Sequence, residues 1–454
     1  MPRNHDRPSP DSELRADTQV GLLLHDYGLY AAPGPENWAE VGIKYFVRRR
    51  FVLVRSEFAA AARDLLRHDP PLLAPPHADP LPGEPADGDV AYGIEWIRIV
   101  ETEDITVFTA LKRIREGLRR TVNRDIIEPG DASRTPRYAG VAGPELLVHV
   151  AHDHGTVCPS EEPHPVCCDD RPDPPVVPDD QAGLGVKVLV IDTGLDPAAT
   201  SLPWMKGVCG DPDPGLITTN SKTTISRYAG HGTFIAGLIR TVAPAAEVVV
   251  RLGVPAPVHG HTHPAGTMWE GDLADAIRRG LLFDQPDIIN LSAGTVSGEP
   301  SGPMILTAFH EQVLRHQKGL VLVAAAGNDG IRQRFWPAAA PWAVGVGALA
   351  QNRRRRADFS NSGSWVDVYA PGERLVNAFP RGNYTYEEPK NRGTARDFDG
   401  LARWSGTSFA APLVAGLIAS RMSRTGENGE RAARRLLARS RRHHLPGVGP
   451  VLLP

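Results

Sequence analysis

Four stretches of the chain are almost uninterruptedly apolar: VKVLVI (186–191), EVVVRL (247–252), DIINLS (287–292) and GLVLVAAA (319–326). A strand with one wet face alternates apolar and polar residues. A run without alternation is buried on both faces, which is the usual state of a parallel strand. Between these runs, Asp272–Phe283 and Met304–His316 repeat apolar residues at helical spacing. Strand and helix in alternation predict a doubly wound parallel-sheet α/β domain over residues 186–445. Its functional groups belong at the carboxyl ends of the strands.

Upstream the texture differs. Lys44–Val54 reads as a strand, and Ser56 can cap a helix with Phe58, Ala61, Ala62, Leu65 and Leu66 on one face. After a proline-rich loop at 69–89, Ile94–Val100 reads as a second strand. Val107, Leu111, Ile114 and Leu118 then recur at helical spacing, and Leu146–Val150 reads as a third strand. This β-α-β-α-β order predicts a small α+β domain over residues 41–153, preceded by a partly ordered tail at 1–40. Residues 154–185 are rich in proline and acids and are expected to form an extended, exposed linker.

A length of 454 residues fits two or three folding units, and 41% hydrophobic residues are enough for a large core. The formal net charge of −3 provides no field for nucleic acid or an anionic membrane, so neither is expected as a partner. No apolar run is long enough to span a bilayer. Met1–Gln19 is polar, without the apolar core of a secretory signal, so a cytoplasmic location is expected. Cys158, Cys167, Cys168 and Cys209 contain no C-x-x-C pair and are expected as reduced thiols.

Four polar residues stand where chemistry is expected. Asp192 ends the first buried run in IDTG; alone, it reads equally as a turn or cap residue. His231 sits between Gly230 and Gly232 at the start of a helix-like stretch; alone, it reads as a core histidine with its hydrogen bonds satisfied. Ser408 lies in SGTSFAAPLVAG near a helix N-terminus, where a helix cap is the plain alternative. Asn328 follows a buried strand in AAAGND, and Asn-Asp-Gly is also turn chemistry. Together they carry more than they do apart. A serine hydroxyl needs an adjacent base. An imidazole can take its proton, and a buried carboxylate can hold that imidazole in the right tautomer. An amide donor beside the serine N–H can stabilise an oxyanion.

IDTG, GHGT, AAAGN and GTSFAAP, in this order, resemble the subtilase family of serine peptidases, and SNSGSWVDVYAPG (360–372) resembles the segment that precedes its serine motif. The similarity covers residues 186 to about 425. It implies a subtilisin-like α/β fold and a serine endopeptidase that cleaves peptide or protein substrates through an acyl-enzyme, without a cofactor. Asp192 would orient, His231 would act as base and then acid, Ser408 would attack, and Asn328 would help form the oxyanion hole. The triad follows the family's chain order of Asp, His and Ser. Ser292, Ala293 and Gly294 match one wall of the primary specificity pocket, and Ala324–Gly327 the other. Arg334, Phe335 and Trp336 depart from the small, glycine-containing pattern of the pocket floor, which removes the basis for expecting a preference for large apolar side chains.

Residues 41–153 resemble the family's propeptide in size and position, which implies an inhibitor of the chain's own cleft and a zymogen. Structural calcium is common in the family, and Asp211, Asp213 and Asn220 lie on an insertion that could contribute to a site. Two other classes stay open: a dedicated processing protease with one peptide substrate, and a non-catalytic binding protein on the same fold. HGHTH (259–263) lacks the carboxylate or cysteine spacing of a zinc site. Arg353–Arg356 reads as a solvated loop, or as a docking patch or processing site. Glu430–Arg442 reads as a helix packed through Ala433, Leu436 and Leu437.

Overall fold

The apolar runs lie side by side. The computed structural model describes residues 28–42, 45–75, 81, 83–122, 140–149, 160–166, 171–253, 266–388 and 390–454. Within it, one seven-stranded sheet has the order Cys209–Gly210, Glu247–Leu252, Lys187–Asp192, Ile288–Leu291, Val321–Ala325, Ala343–Leu349 and Val368–Pro371. Every neighbouring pair is parallel. Side chains of Lys187–Asp192 show why its sequence does not alternate. Val188 and Val190 enter one core with Phe234, Ile239, Phe409 and Val414. Leu189 and Ile191 enter the opposite core with Leu273, Ile277, Ile305 and Phe309. Helices His231–Val242 and Thr407–Thr425 therefore cover one face, and Glu270–Phe283 and Met304–Gln312 the other. Lys187–Asp192 pairs with Glu247–Leu252 on one side and Ile288–Leu291 on the other. The strand order thus reverses beside Asp192, where an open parallel sheet leaves a crevice at its carboxyl ends.

The N-terminal unit is an antiparallel sheet of Val90–Ala91, Ile94–Arg98, Phe51–Arg55 and Ala142–Gly143. Strand periodicity sends its side chains two ways. Val52, Val54 and Ile97 pack under helices Ser56–Arg67 and Val107–Val122. Phe51, Leu53, Ile94 and Trp96 join Leu273, Ile277, Ile305 and Phe309 of the larger body. Both faces of this small sheet are therefore apolar, and one of them is covered by two helices of the parallel-sheet domain.

Four local features differ from the sequence pattern. The run expected as one strand over Lys44–Val54 is two, Tyr45–Arg48 and Phe51–Arg55, parted by a turn in which Arg50 has φ of 62°. Tyr45–Arg48 pairs with Ala31–Gly34, so part of the expected tail is strand. Leu147–His149, expected to complete the small sheet, leaves it and pairs antiparallel with Thr267–Trp269 of the larger body. The stretch expected as an exposed linker is fastened in its described parts. Glu162 is buried and accepts hydrogen bonds from the Tyr384 hydroxyl and the N–H groups of Glu387 and Glu388. His164–Pro165 pairs with the strand Ala395–Trp404. The physical reason is that proline holds a segment extended but does not stop its remaining polar groups from meeting partners.

Two buried carboxylates lie where the units meet, Glu145 bonded within the N-terminal unit and Glu270 bonded across. Glu145 accepts from Arg48 Nε at 2.6 Å and Trp96 Nε1 at 2.7 Å. Glu270 Oε1 accepts the Leu146 N–H at 3.0 Å, while Oε2 accepts Ile305 N–H at 2.8 Å and Leu306 N–H at 3.3 Å. Burial, and then the neighbouring Glu145 carboxylate, push the Glu270 carboxyl up to about 8. A carboxyl raised above its unfolded value of about 4.3 adds stability that is fully present below that value and is lost as pH rises through the folded one. The melting temperature of the full chain is expected to fall between about pH 5 and pH 9. Glu270→Ala leaves those backbone donors without this acceptor and should cost roughly 3 kcal/mol at pH 5. Denaturant titration of both proteins across this pH range checks the cost and the loss of the slope.

Candidate active site

Asp192 ends the strand Lys187–Asp192 and is fully buried. Its Oδ1 accepts the Thr193 N–H at 2.8 Å and meets His231 Nδ1 at 2.8 Å. His231 opens its helix directly after Gly230, which has φ of 86°. A Cβ on Gly230 would lie 2.9 Å from the Phe379 ring, and one on Gly232 would lie 3.3 Å from Asp192 Cβ. The two glycines flanking His231 thus let the helix start reach the strand end. The imidazole is walled by Trp404, edge-on at 5.5 Å, and by Phe409 at 5.3 Å. Its Nε2 is buried and has no hydrogen-bond partner among the described residues.

Ser408 is the second residue of the helix Thr407–Thr425 and is buried against the His231 helix. Its neighbour Phe409 is the residue that touches the imidazole. The Ser408 carbonyl accepts the Ser292 hydroxyl at 2.8 Å, and Ser292 Oγ in turn accepts from Asn290 Nδ2 at 3.0 Å. Asn328 Oδ1 accepts the Thr407 N–H at 2.7 Å, and Thr407 Oγ1 accepts the Gly327 N–H at 3.0 Å. This reciprocal tie fixes the Asn328 amide with its oxygen on the helix start, one residue from Ser408, and its donor end turned away from Thr407.

The four motifs are thus carried to the carboxyl ends of the strands: Asp192 meets His231 and Asn328 meets the start of the Ser408 helix, while no hydrogen bond joins His231 Nε2 to Ser408. Ser292, Ala293 and Gly294 continue Ile288–Leu291 beside them. Gly294 exchanges two backbone hydrogen bonds with His149, both 2.9 Å.

Several residues that hold this site were not singled out for that work. Thr407 is one, and it is legible only as part of GTS. Asn361 is another; its Oδ1 accepts from the N–H groups of Asp329 and Ile331, and its Nδ2 donates to the Ala326 carbonyl. Asp213 is the third. Its Oδ2 accepts the Gly230 N–H at 2.7 Å and the Thr193 hydroxyl at 3.0 Å, and its Oδ1 accepts the Gly215 N–H at 2.9 Å. Thr193 Oγ1 accepts the Gly232 N–H at 3.2 Å. Asp213 and Thr193 thus brace the strand that ends in Asp192 against the helix that begins with His231. Burial raises the Asp213 carboxyl to about 6, against the three donors, which lower it.

Asp213 and Asp211, considered as calcium donors, are engaged with protein groups: Asp211 holds Arg251 and the Leu252 N–H. Among the described residues no group of three or more His, Cys, Asp or Glu side chains is arranged to hold a metal ion. His259, His261 and His263 lie outside the described residues, as do Cys158, Cys167 and Cys168. Cys209 is an exposed free thiol. In the arginine run, Arg353 pairs with Asp173 and Arg355 with Asp358, and Arg356 donates to the Ser360 carbonyl.

The parallel sheet, its two helical layers and the elements that carry Asp192, His231 and Ser408 make a subtilisin-like α/β fold. The profile of the Subtilase family, Peptidase_S8, matches residues 183–448, and the chain belongs to that family. It is 33% identical over 253 residues to the thermophilic serine proteinase of Bacillus sp. (strain AK1), a match that covers 54% of either chain. It is 29% identical over 256 residues to the major intracellular serine protease of Bacillus subtilis (strain 168), covering 52% of this chain and 68% of that one. A solved structure, of the self-cleaved protease domain of PatA, is 28% identical and covers 57% of this chain and 89% of that one, with a TM-score of 0.40. The match thus spans about half the length of the Bacillus sp. relative, at 54%. No described helix is long and apolar enough to cross a membrane.

Asp213→Ala removes the acceptor for two backbone N–H groups and the Thr193 hydroxyl. It is expected to lower the unfolding free energy by roughly 3 kcal/mol, read by urea titration. Asp213→Asn keeps one acceptor oxygen and should lose less.

Proposed function

We propose that the chain is a serine endopeptidase that hydrolyses peptide bonds through an acyl-enzyme. The observation that carries this reading is the buried Asp192–His231 pair, joined at 2.8 Å, with Nε2 unoccupied beside the helix that starts with Thr407 and Ser408. A serine hydroxyl attacks a carbonyl only if its proton is taken as it attacks. His231 Nε2 takes that proton, while Asp192 holds Nδ1–H and stabilises the imidazolium. The oxyanion then receives the Ser408 N–H and the Asn328 amide, at the positive end of a 19-residue helix. His231 returns the proton to the leaving amine, and water repeats the sequence on the ester. An intracellular site of action, as the name of the Bacillus subtilis relative states for that protein, is part of the reading.

The N-terminal unit is the chain's own inhibitor in this reading. Leu147–His149 lies as a strand between Thr267–Trp269 and Gly294, where an extended substrate would have to lie. Release follows a self-made cut downstream of that strand, and the apolar face of Phe51, Leu53 and Ile94 keeps the cut unit bound until it is removed.

A fluorophosphonate is expected to label Ser408 once the N-terminal unit has been cut and removed. Ser408→Ala should abolish labelling and peptide hydrolysis while leaving the fold intact, as read by circular dichroism. Hydrolysis near the wild-type rate in that variant would sink the assignment, and failure of the wild type to label after removal of the N-terminal unit would favour a binding protein on this fold. Asn328→Ala is expected to lower kcat by about 10²–10³ with little change in KM, measured per titrated active site. Intact mass should reveal a chain cut between the two units in the wild type only. A wild type that stays uncut yet hydrolyses peptides at full rate excludes the inhibitory role.

A further inference from the structure

The groove held by Leu147–His149 fixes where the next residues of any bound peptide go. His149 pairs with Gly294 through both backbone bonds, and the pairing is antiparallel. In an antiparallel ladder, a step of two residues forward on one strand is a step of two back on the other. A peptide that continues the ladder brings its second residue past the Gly294 partner opposite Ser292. Ser292 donates its hydroxyl to the Ser408 carbonyl at 2.8 Å, so that end of the ladder lies beside Ser408. On the serine-peptidase reading, that second residue is the one whose carbonyl Ser408 attacks. Its side chain falls on the same face as that of the Gly294 partner two residues earlier. The space beside it is bounded by Gly294 on one side and by Gly327, tied to Thr407 at 3.0 Å, on the other.

That space is filled. The Phe335 ring lies between the two glycines: a Cβ on Gly294 would be 2.8 Å from Phe335 Cδ1, and a Cβ on Gly327 would be 3.0 Å from Phe335 Cγ. Phe335 is 1% exposed. Its backbone is held in a ladder, Val296 opposite Phe335 and Thr295 opposite Trp336, which fixes the point from which the ring projects. Trp336 and its carbonyl close the same side of Gly294.

We infer that Phe335 restricts the residue before the scissile bond to a small side chain, glycine, alanine or serine. This rests on the serine-peptidase reading and narrows it to a substrate class. A leucine or phenylalanine at that position has to displace a packed aromatic ring, and a close-packed interior resists added volume. The chain's own sequence agrees in register: two residues past His149 it carries Ala151, which lies outside the described residues.

The test starts from the purified full-length chain, freed of its cut N-terminal unit, with active sites titrated on a separate portion with a fluorophosphonate. The substrates are synthetic peptides of residues 145–156 carrying the natural alanine or the changes Ala151→Gly, Ala151→Leu and Ala151→Phe. The wild type is expected to cleave after alanine at least about 10²-fold faster, in kcat/KM, than after phenylalanine. Phe335→Gly, and Phe335→Leu as a variant that keeps more of the packing, are expected to lower that ratio in the order Leu then Gly. Gly should bring phenylalanine level with alanine or above it. A labelled wild type that cleaves all four peptides equally overturns this inference and leaves the peptidase reading standing, as does a ratio unmoved by both variants. A chain that takes no label after its N-terminal unit is removed overturns both.

Discussion

A carboxylate and an imidazole buried together 2.8 Å apart demand that two segments of chain, 39 residues apart in sequence, be held rigidly at close range. A buried charge without partners is costly, and low dielectric magnifies both its cost and its interactions. The surroundings answer that demand. Gly230 and Gly232 let backbones approach. Thr193 and Asp213 tie the strand end to the helix start through four hydrogen bonds that join Asp213, Thr193, Gly230, Gly232 and Gly215. Trp404 and Phe409 exclude water from the imidazole's sides.

The same economy of contact governs the start of the Ser408 helix. Its first N–H groups have no partners within the helix. Thr407 N–H goes to Asn328, which is thereby fixed by the helix it serves. The loop that carries Asn328 is braced from behind by Asn361, which accepts two N–H groups and donates to the Ala326 carbonyl. A site assembled from three strand-end loops and two helix starts is thus made stiff by side chains that do no chemistry themselves.

Strand edges left open by such a crevice attract any extended chain. Leu147–His149 fills that edge, and the unit it belongs to rests on Glu270–Phe283 and Met304–Gln312 through an apolar sheet face. Glu270 ties the strand to the surface on which the sheet rests. One oxygen accepts from Leu146, just before the inserted strand, and the other from the first turn of Met304–Gln312. Loss of the lodged strand takes the Leu146 donor from that carboxylate, whereas the bonds from Ile305 and Leu306 lie within the larger body.

The apolar runs at 186–191, 247–252, 287–292 and 319–326 determined the parallel sheet by themselves, because burial on both faces abolishes alternation. Glycine beside His231, and serine within a run of small residues, announced close approach, since only small residues permit it. The sequence also carried Phe335 as a departure from the expected floor, though not the position of its ring. Other features were decided only in the tertiary structure. Asp213 read as one acid on a proline-containing insertion, and Glu162 as part of a loose linker; each is buried by segments distant in sequence. Leu147–His149 read as an ordinary third strand, because period and propensity say that a segment is extended and are silent on which edge receives it. Local pattern reports the backbone's own preferences. Hydrogen-bond partners and packing neighbours depend on distances between remote segments, which exist only once the chain has folded.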